Sequence, residues 1–374
     1  MREASSLEGA FFLRLISDFK GHDRDMKIIN VAGARPNFMK ISPLMMEMKK
    51  YPQIKPMIVH TGQHYDYEMS KLFFEELEIP EPDINLEVGS SSHATQTAAI
   101  MTKFENVILG QKPDLVIVVG DVNSTIACAL TSIKLGVKVA HVEAGLRSFD
   151  RSMPEEINRI LTDAISDFLF TSEKSANGNL KNEGISDEKV FFVGNVMIDT
   201  LLRNKERSLQ SSILEKLSLH PGEYAALTLH RPSNVDDQKT LSQIIEALAV
   251  VQERIKVVFP VHPRTKSVLD SMGSSRHLTN ASHFIMTEPL GYLDFLRLMT
   301  DAKFVLTDSG GIQEETTVLG IPCITIRENT VINAYIKINL RRKNTCMYSS
   351  ICVCIRTAPL FCDGSIKRRS LFNS

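Results

Sequence analysis

The sequence predicts an α/β protein with two Rossmann-like, doubly wound parallel-sheet domains and a cleft between them. Three observations predict it. Short apolar runs of strand length recur along the chain, helical patterns separate many of them, and 374 residues exceed what one hydrophobic core usually serves. Strands covered on both faces show unbroken apolar runs. Intervening helices supply the right-handed crossovers that join parallel neighbours.

In chain order, the first sheet is expected from KIINVA (27–32), KPMIVH (55–60), LVIVV (115–119), KVAHV (138–142), FLFT (168–171) and VFFV (190–193). The second is expected from AALTL (225–229), VVFPV (257–261), FIMT (284–287), FVLT (304–307) and CITI (323–326). The polar stretch RNKERSLQSS, between Gly194 and His220, marks the break. The expected domains are 26–198 and 199–330, after a disordered extension over 1–25 and before a tail over 331–374. The clearest helix start is MPEEINRILTDAISDF. Pro154 suits the first turn, and Glu155 and Glu156 face the positive end of the dipole. Ile157, Ile160, Leu161, Ala164, Ile165 and Phe168 form an apolar stripe expected to face the core, with Glu155 and Arg159 on the other side. Glu155 then either faces a cleft or forms a solvated ion pair with Arg159.

Composition narrows the classes. A formal net charge of -1 offers no global field for nucleic acid or a membrane surface. The balance hides a tail: residues 331–374 carry eight basic side chains and one acid, Asp363. No apolar run approaches the roughly 20 residues of a membrane span, and Arg14 interrupts the apolar start, which argues against a signal peptide. Cys128 and Cys323 lie in apolar contexts as reduced core thiols, so a cytoplasmic compartment is expected. Cys346, Cys352, Cys354 and Cys362 crowd the tail without zinc-knuckle spacing or a histidine. His60 and His64 have ligand spacing but no acidic partners, so no metal is expected.

In doubly wound sheets, ligands bind beyond the carboxyl ends of the strands. Those ends carry Arg35 and Lys40, Gln63 and His64, Asp121, Glu143 and Arg147, His230 and Arg231, then His262 and Arg264. FVLT leads into Asp308 and DSGGIQEE. Ser309-Gly310-Gly311 there opens a helix whose free first-turn amides suit a phosphate, with Glu314 and Glu315 one turn on as acceptors for a ribose diol. The alternative is a plain strand–helix turn capped by serine. Asp121, Glu143 and Glu155 place three carboxylates on one rim, where crowding separates an acid from a base. The alternative for Asp121 and Glu143 is helix capping. A Walker A loop and a GxGxxG after a strand are both missing, which disfavours ATP hydrolysis and tight NAD binding.

The strings GARPNFMKISPL, HTGQHYDYEMS, VVGDVNSTIA, HVEAGLRSFDRSMPEEINR, VGNVMIDT, LHRPSNVD, FPVHPRT and LTDSGGIQEE run in order from Lys27 to Thr330. Together they resemble the non-hydrolysing UDP-N-acetylglucosamine 2-epimerase family. The resemblance implies a glycosyltransferase-B type fold, UDP held mainly by the second domain, and reversible conversion of UDP-GlcNAc to UDP-ManNAc through 2-acetamidoglucal. It implies no cofactor and a homodimer. The family's catalytic positions correspond to Asp121, Glu143, Glu155 and His230. Its substrate-binding arginine is Arg35, its phosphate cradle Ser309, Gly310 and Gly311, and its ribose carboxylate Glu315. Lys40, Gln63, His64, His262 and Arg264 complete the expected substrate-binding set. The alternatives are a hydrolysing 2-epimerase releasing ManNAc and UDP, an inactive UDP-sugar binder with an altered C terminus, and a glycosyltransferase on the same fold.

After GIPCITIRENT the family pattern continues with an ERP-type segment, a GTN-like loop and further helices. This chain continues instead as VINAYIKINLRRKNTCMYSS. Met26, directly before the first strand, is the expected initiator. An out-of-frame C terminus is the expected cause of the compositional break. Resequencing the transcript across the codons around Thr330 should reveal the shift, and an intact frame there would remove the explanation.

Overall fold

The computed structural model describes residues 25–62, 74–273 and 283–326, with the backbone of short strands at 336–337 and 352–354. The expected extension, Asp25 apart, and the remainder of the tail lie outside the described residues.

The first sheet comprises β1 (Met26–Ala32), β2 (Ile54–His60), β3 (Ile84–Asn85), β4 (Leu115–Val119), β5 (Lys138–Val142), β6 (Phe168–Thr171) and β7 (Val190–Phe192). Its order is β3-β2-β1-β4-β5-β6-β7, and every pairing is parallel. The second comprises β8 (Tyr224–Thr228), β9 (Lys256–Pro260), β10 (Phe284–Thr287), β11 (Phe304–Thr307), β12 (Cys323–Thr325), β13 (Ile336–Lys337) and β14 (Cys352–Cys354), in the order β10-β9-β8-β11-β12-β14-β13. It is parallel through β12. Both pairings of β14, with β12 and with β13, are antiparallel. The apolar runs mark every longer strand. They miss β3, which is two residues long, and the two strands of the basic tail, which pair the otherwise open edge of β12.

Alternation along β1, β4 and β5 divides the first sheet between two cores. Ile28, Ile117 and Ala140 point to one, and Ile29, Val116, Val118 and Val139 to the other. The first core runs on without a break into the second sheet, taking in Tyr224, Ala226, Val258 and Val305. A helix makes that continuity. RNKERSLQSS was expected to mark an interdomain break, but its first six residues finish the helix Val196–Ser208. Met197, Thr200, Leu201, Asn204 and Ser208 recur at helical spacing and are buried. The helix is wedged between the helix Arg35–Met48 of the first lobe and the helix Tyr292–Thr300 of the second. Thr200 Oγ1 donates to the Met39 carbonyl at 2.6 Å.

The helix Pro154–Ile165 overturns a second expectation. Its buried residues are Glu156, Asn158, Arg159, Thr162 and Asp163, whereas Leu161 is 48% exposed. The polar face turns inward because each charge on it has a partner there. Glu156 accepts from the amides of Ser148 and Phe149, both at 2.9 Å, and from Arg159 at 2.5 Å. Arg159 therefore pairs with Glu156 and Asp121 rather than with Glu155.

These packing differences set different costs for truncation. Ile117 is fully buried in the central strand β4. Ile117→Ala should cost about 2–5 kcal/mol in chemical denaturation. Leu161→Ala, despite its place in the apolar stripe, should stay within about 0.5 kcal/mol.

Candidate active site

Each sheet has one place where strand order reverses, between β1 and β4 in the first and between β8 and β11 in the second. Loops leaving such neighbours diverge and open a crevice. Arg35, Asp121, His230 and Ser309 all follow these four strands, so the expected site draws chiefly on the two switch points.

In the first lobe, β4 ends in Gly120-Asp121. Asp121 Oδ2 accepts from Arg159 Nε at 3.0 Å and Nη2 at 2.7 Å, so it is held by a two-pronged guanidinium rather than capping a helix. β5 is followed by Glu143, which has a φ of +75°, in the left-handed region that a non-glycine residue seldom adopts. Gly145 follows at φ +77°, where an added Cβ would meet the Ala176 carbonyl oxygen at 2.7 Å. This turn throws the Glu143 side chain back onto Lys40, and the two form an ion pair. Burial pushes the Lys40 ammonium down, but the charges of Glu143 and Asp121 outweigh it and hold its pKa above the usual lysine value. Asn37 fixes the neighbouring loop: its Oδ1 accepts from the amides of Gly33 and Ala34, and its Nδ2 donates to the Val119 carbonyl.

Behind these strand ends lies a buried network. His141 Nδ1 meets Asp163 Oδ1 at 2.6 Å, and Nε2 meets the Gly120 carbonyl at 2.8 Å. Each ring nitrogen thus meets an oxygen, which fixes the orientation of the imidazole. Asp163 Oδ2 also accepts from the Gly145 amide at 3.0 Å and pairs with Arg147 at 2.7 Å. Burial pushes the Asp163 carboxyl up, but His141 and Arg147 overcome it and hold the group below the usual carboxylate range.

In the second lobe, Asp308 directly follows β11 and is fully buried. It accepts from the amides of His230 and Arg231 at 3.0 and 2.9 Å and pairs with His230 Nδ1 at 2.9 Å. Burial raises its pKa, yet the His230 hydrogen bond and charge bring it below the ordinary value. His230 is thus oriented by Asp308, while its side chain stays about half exposed. Ser309 is the N-cap of the helix Gly310–Leu319, and its side chain makes no capping bond. The capping alternative therefore fails, and the first-turn amides keep their capacity for an anion. Glu314, one turn on, accepts from Asn195 Nδ2 at 2.7 Å. Its pKa is pushed up to about 7 by burial and by the charge of Glu143, while Asn195 and Lys40 pull the other way. Glu315 is buried beside it and pushed up to about 8, first by burial and then by Glu314.

The remaining expected residues divide. Glu155 stands exposed in the first turn of its helix, and the buried network takes Glu156 instead. Arg264 is exposed and bound to Asp236 at 2.6 Å, while His262 caps its own helix by accepting from the Arg264 amide. Gln63, His64 and the Arg35 side chain lie outside the described residues. Among the described residues, no group of three or more His, Cys, Asp or Glu could hold a metal ion. Sequence reasoning missed Asn37, Asp163, Glu156, Asn195 and Asp308 as positioning groups. Asp308 alone carried a signal, being a carboxylate between a strand and a glycine-rich helix start.

The raised carboxyls predict a pH dependence. Glu315 ordinarily titrates at 4.5 and here at about 8. Its contribution to stability is complete below pH 4.5 and is lost as pH rises through about 8. The thermal midpoint should therefore fall less between about pH 5 and pH 9 in Glu315→Gln than in the parent chain, as read by circular dichroism.

A family model described as UDP-N-acetylglucosamine 2-epimerase matches residues 46–335. A UDP-N-acetylglucosamine 2-epimerase homolog of Methanococcus maripaludis is 48% identical over 308 residues, covering 82% of this chain and 85% of that protein. A UDP-2,3-diacetamido-2,3-dideoxy-D-glucuronate 2-epimerase of Pseudomonas aeruginosa is 43% identical over 308 residues, covering 82% and 84%. The crystal structure of the Methanocaldococcus jannaschii UDP-GlcNAc 2-epimerase in complex with UDP-GlcNAc and UDP is similar at a TM-score of 0.77 and 44% identity, covering 82% of this chain and 85% of that one. With two parallel sheets arranged as in that structure, in the glycosyltransferase-B manner, the chain belongs to the UDP-N-acetylglucosamine 2-epimerase family.

Proposed function

We propose that this chain interconverts UDP-N-acetylglucosamine and UDP-N-acetylmannosamine at sugar carbon 2 without net hydrolysis. One observation carries the reading. The Lys40–Glu143 pair of the first lobe lies within the electrostatic reach of Glu314, one turn along the helix that begins at the Ser309-Gly310-Gly311 cradle. A diphosphate seated on that helix end brings its sugar toward Glu143 and Asp121.

In this reading a carboxylate of the first lobe takes the proton from carbon 2. The electron pair left behind forms the carbon 1–carbon 2 double bond, and the carbon 1–oxygen bond breaks to release UDP within the cleft. A carboxylic acid on the opposite face then returns a proton to carbon 2, and the UDP oxygen adds back to carbon 1. Asp121, Glu143 and Glu155 are the acid–base candidates. Arg35, His230 and the Ser309 helix end meet the charge that grows on the departing diphosphate, where preorganised donors contribute most. Glu315 takes the ribose diol, and Lys40, Gln63, His64, His262 and Arg264 complete the substrate-binding set. The step needs no cofactor, because no net oxidation occurs. The buried thiol Cys128, which forms no disulfide, supports a cytoplasmic setting. The resemblance implies a homodimer, which sedimentation of the purified chain would reveal.

The Pseudomonas aeruginosa relative favours a second substrate, the diacetamido-glucuronate nucleotide, through the same chemistry. Proton NMR in deuterated water with each sugar nucleotide decides between them by deuterium uptake at carbon 2. Glu143→Gln should slow that exchange by at least about 100-fold. UDP affinity should stay within about tenfold, since the nucleotide contacts lie mainly in the other lobe. Unchanged exchange would discard the role given to Glu143. Free UDP and free ManNAc appearing in step would instead identify a hydrolysing enzyme.

A further inference from the structure

The lobes also meet away from the carboxylates, through a contact that the chemistry above leaves unused. The helix Tyr292–Thr300 of the second lobe begins at Gly291, whose lack of a side chain leaves the first turn without a local cap. A carboxylate from the first lobe fills that role. Glu76 Oε2 accepts from the Tyr292 amide at 2.5 Å and from the Leu293 amide at 3.3 Å, across 216 and 217 residues of sequence. The approach is so close that a Cβ at position 291 would collide with the Glu76 carboxylate.

The linker helix Val196–Ser208 braces the same contact. Arg207 Nη1 donates to the Glu76 carbonyl at 2.6 Å and to Asn204 Oδ1 at 2.7 Å, and Arg203 reaches Glu78 at 3.0 Å. Leu77 and Tyr292, neighbours of the paired groups, are buried, and the contact itself is half-buried. The helix it caps faces the nucleotide elements. The buried Tyr292 phenol is pushed up by burial and then by the charge of Glu315. The capped helix packs against the helix Gly310–Leu319, which carries Glu315, so Glu76 reaches that helix through one intervening element.

We propose that Glu76 is a positioning residue that ties the first lobe to the nucleotide-gripping elements of the second, by capping from across the lobe boundary the helix that packs against the one carrying Glu315. The proposal rests on the reading of Glu315 as the ribose carboxylate. A carboxylate at a helix N-terminus satisfies amides that have no intrahelical partner and complements the dipole. Supplied from another lobe, it makes the position of that helix depend on how the lobes sit together.

The test uses the full chain, with UDP as the probe. Glu76→Ala should lose amide-exchange protection at Tyr292 and Leu293. It should also weaken UDP binding by calorimetry, and raise KM for UDP-GlcNAc, by about tenfold. kcat should change by no more than about twofold, because no transition-state contact is removed. Glu76→Gln, which keeps an acceptor oxygen, should recover part of the loss. Gly291→Ala, which displaces the carboxylate without removing it, should reproduce the defect and serves if Glu76→Ala does not fold. Combined with Glu315→Gln, the Glu76→Ala effect on UDP affinity should shrink, since one acts through the other. A folded Glu76→Ala chain with unchanged UDP affinity, or full additivity with Glu315→Gln, would overturn the proposal. Failure of the nucleotide reading shows separately, as an unmodified chain that does not bind UDP. Amide protection at Tyr292 and Leu293 then still decides the tie between lobes.

Discussion

Asp163 has no exposed surface, and a carboxylate taken wholly out of water must be matched by donors. It finds them in His141, Arg147 and the Gly145 amide. Through His141 the same group reaches the Gly120 carbonyl, one residue before Asp121. Through Gly145 it fixes the turn that begins with Glu143. One buried anion therefore sets the separation of the two strand ends that carry the candidate acid–base pair. The helix Pro154–Ile165 turns its polar face inward for this reason, giving up apolar burial at Leu161 to place Glu156, Arg159 and Asp163.

The second lobe repeats the device with a single residue. Asp308 is buried at the end of β11 and holds the backbone of His230 and Arg231 as well as the His230 ring. It joins the loops after β8 and β11, the two that diverge at the switch point of that sheet. Between the lobes, charge does the sorting. Lys40 meets Glu143, and both act on Glu314, which Asn195 holds from the start of the linker helix. Burial first, and then the Glu143 charge, raise the Glu314 carboxyl above its ordinary value.

Strand positions were legible because burial on both faces writes an unbroken apolar run, and those at 115–119, 138–142, 168–171, 284–287 and 304–307 appear with the expected bounds. The residues after them were legible for a related reason: a polar group that ends a buried strand has one rim on which to emerge. The chain passes from one sheet to the other between Phe192 and Tyr224, but the polar composition of RNKERSLQSS concealed that it finishes a helix burying Thr200, Asn204 and Ser208. The apolar stripe after Pro154 was misjudged in the opposite sense. Periodicity identifies which side of a helix is apolar, but it cannot tell that the polar side has partners waiting.

Local chemistry in the chain was enough to determine the two-sheet architecture, the polar residues that follow the strands and the glycine-rich helix start at Ser309. The pairing of those groups was left to tertiary structure. Arg159 binds Asp121 at 38 residues' separation instead of Glu155 four residues away, and Glu76 caps a helix 216 residues downstream. Strand and helix patterns are short-range, since they follow from backbone period and local burial. Ion pairs and caps depend on distances between loops, and those distances exist only after the sheets have closed on their cores.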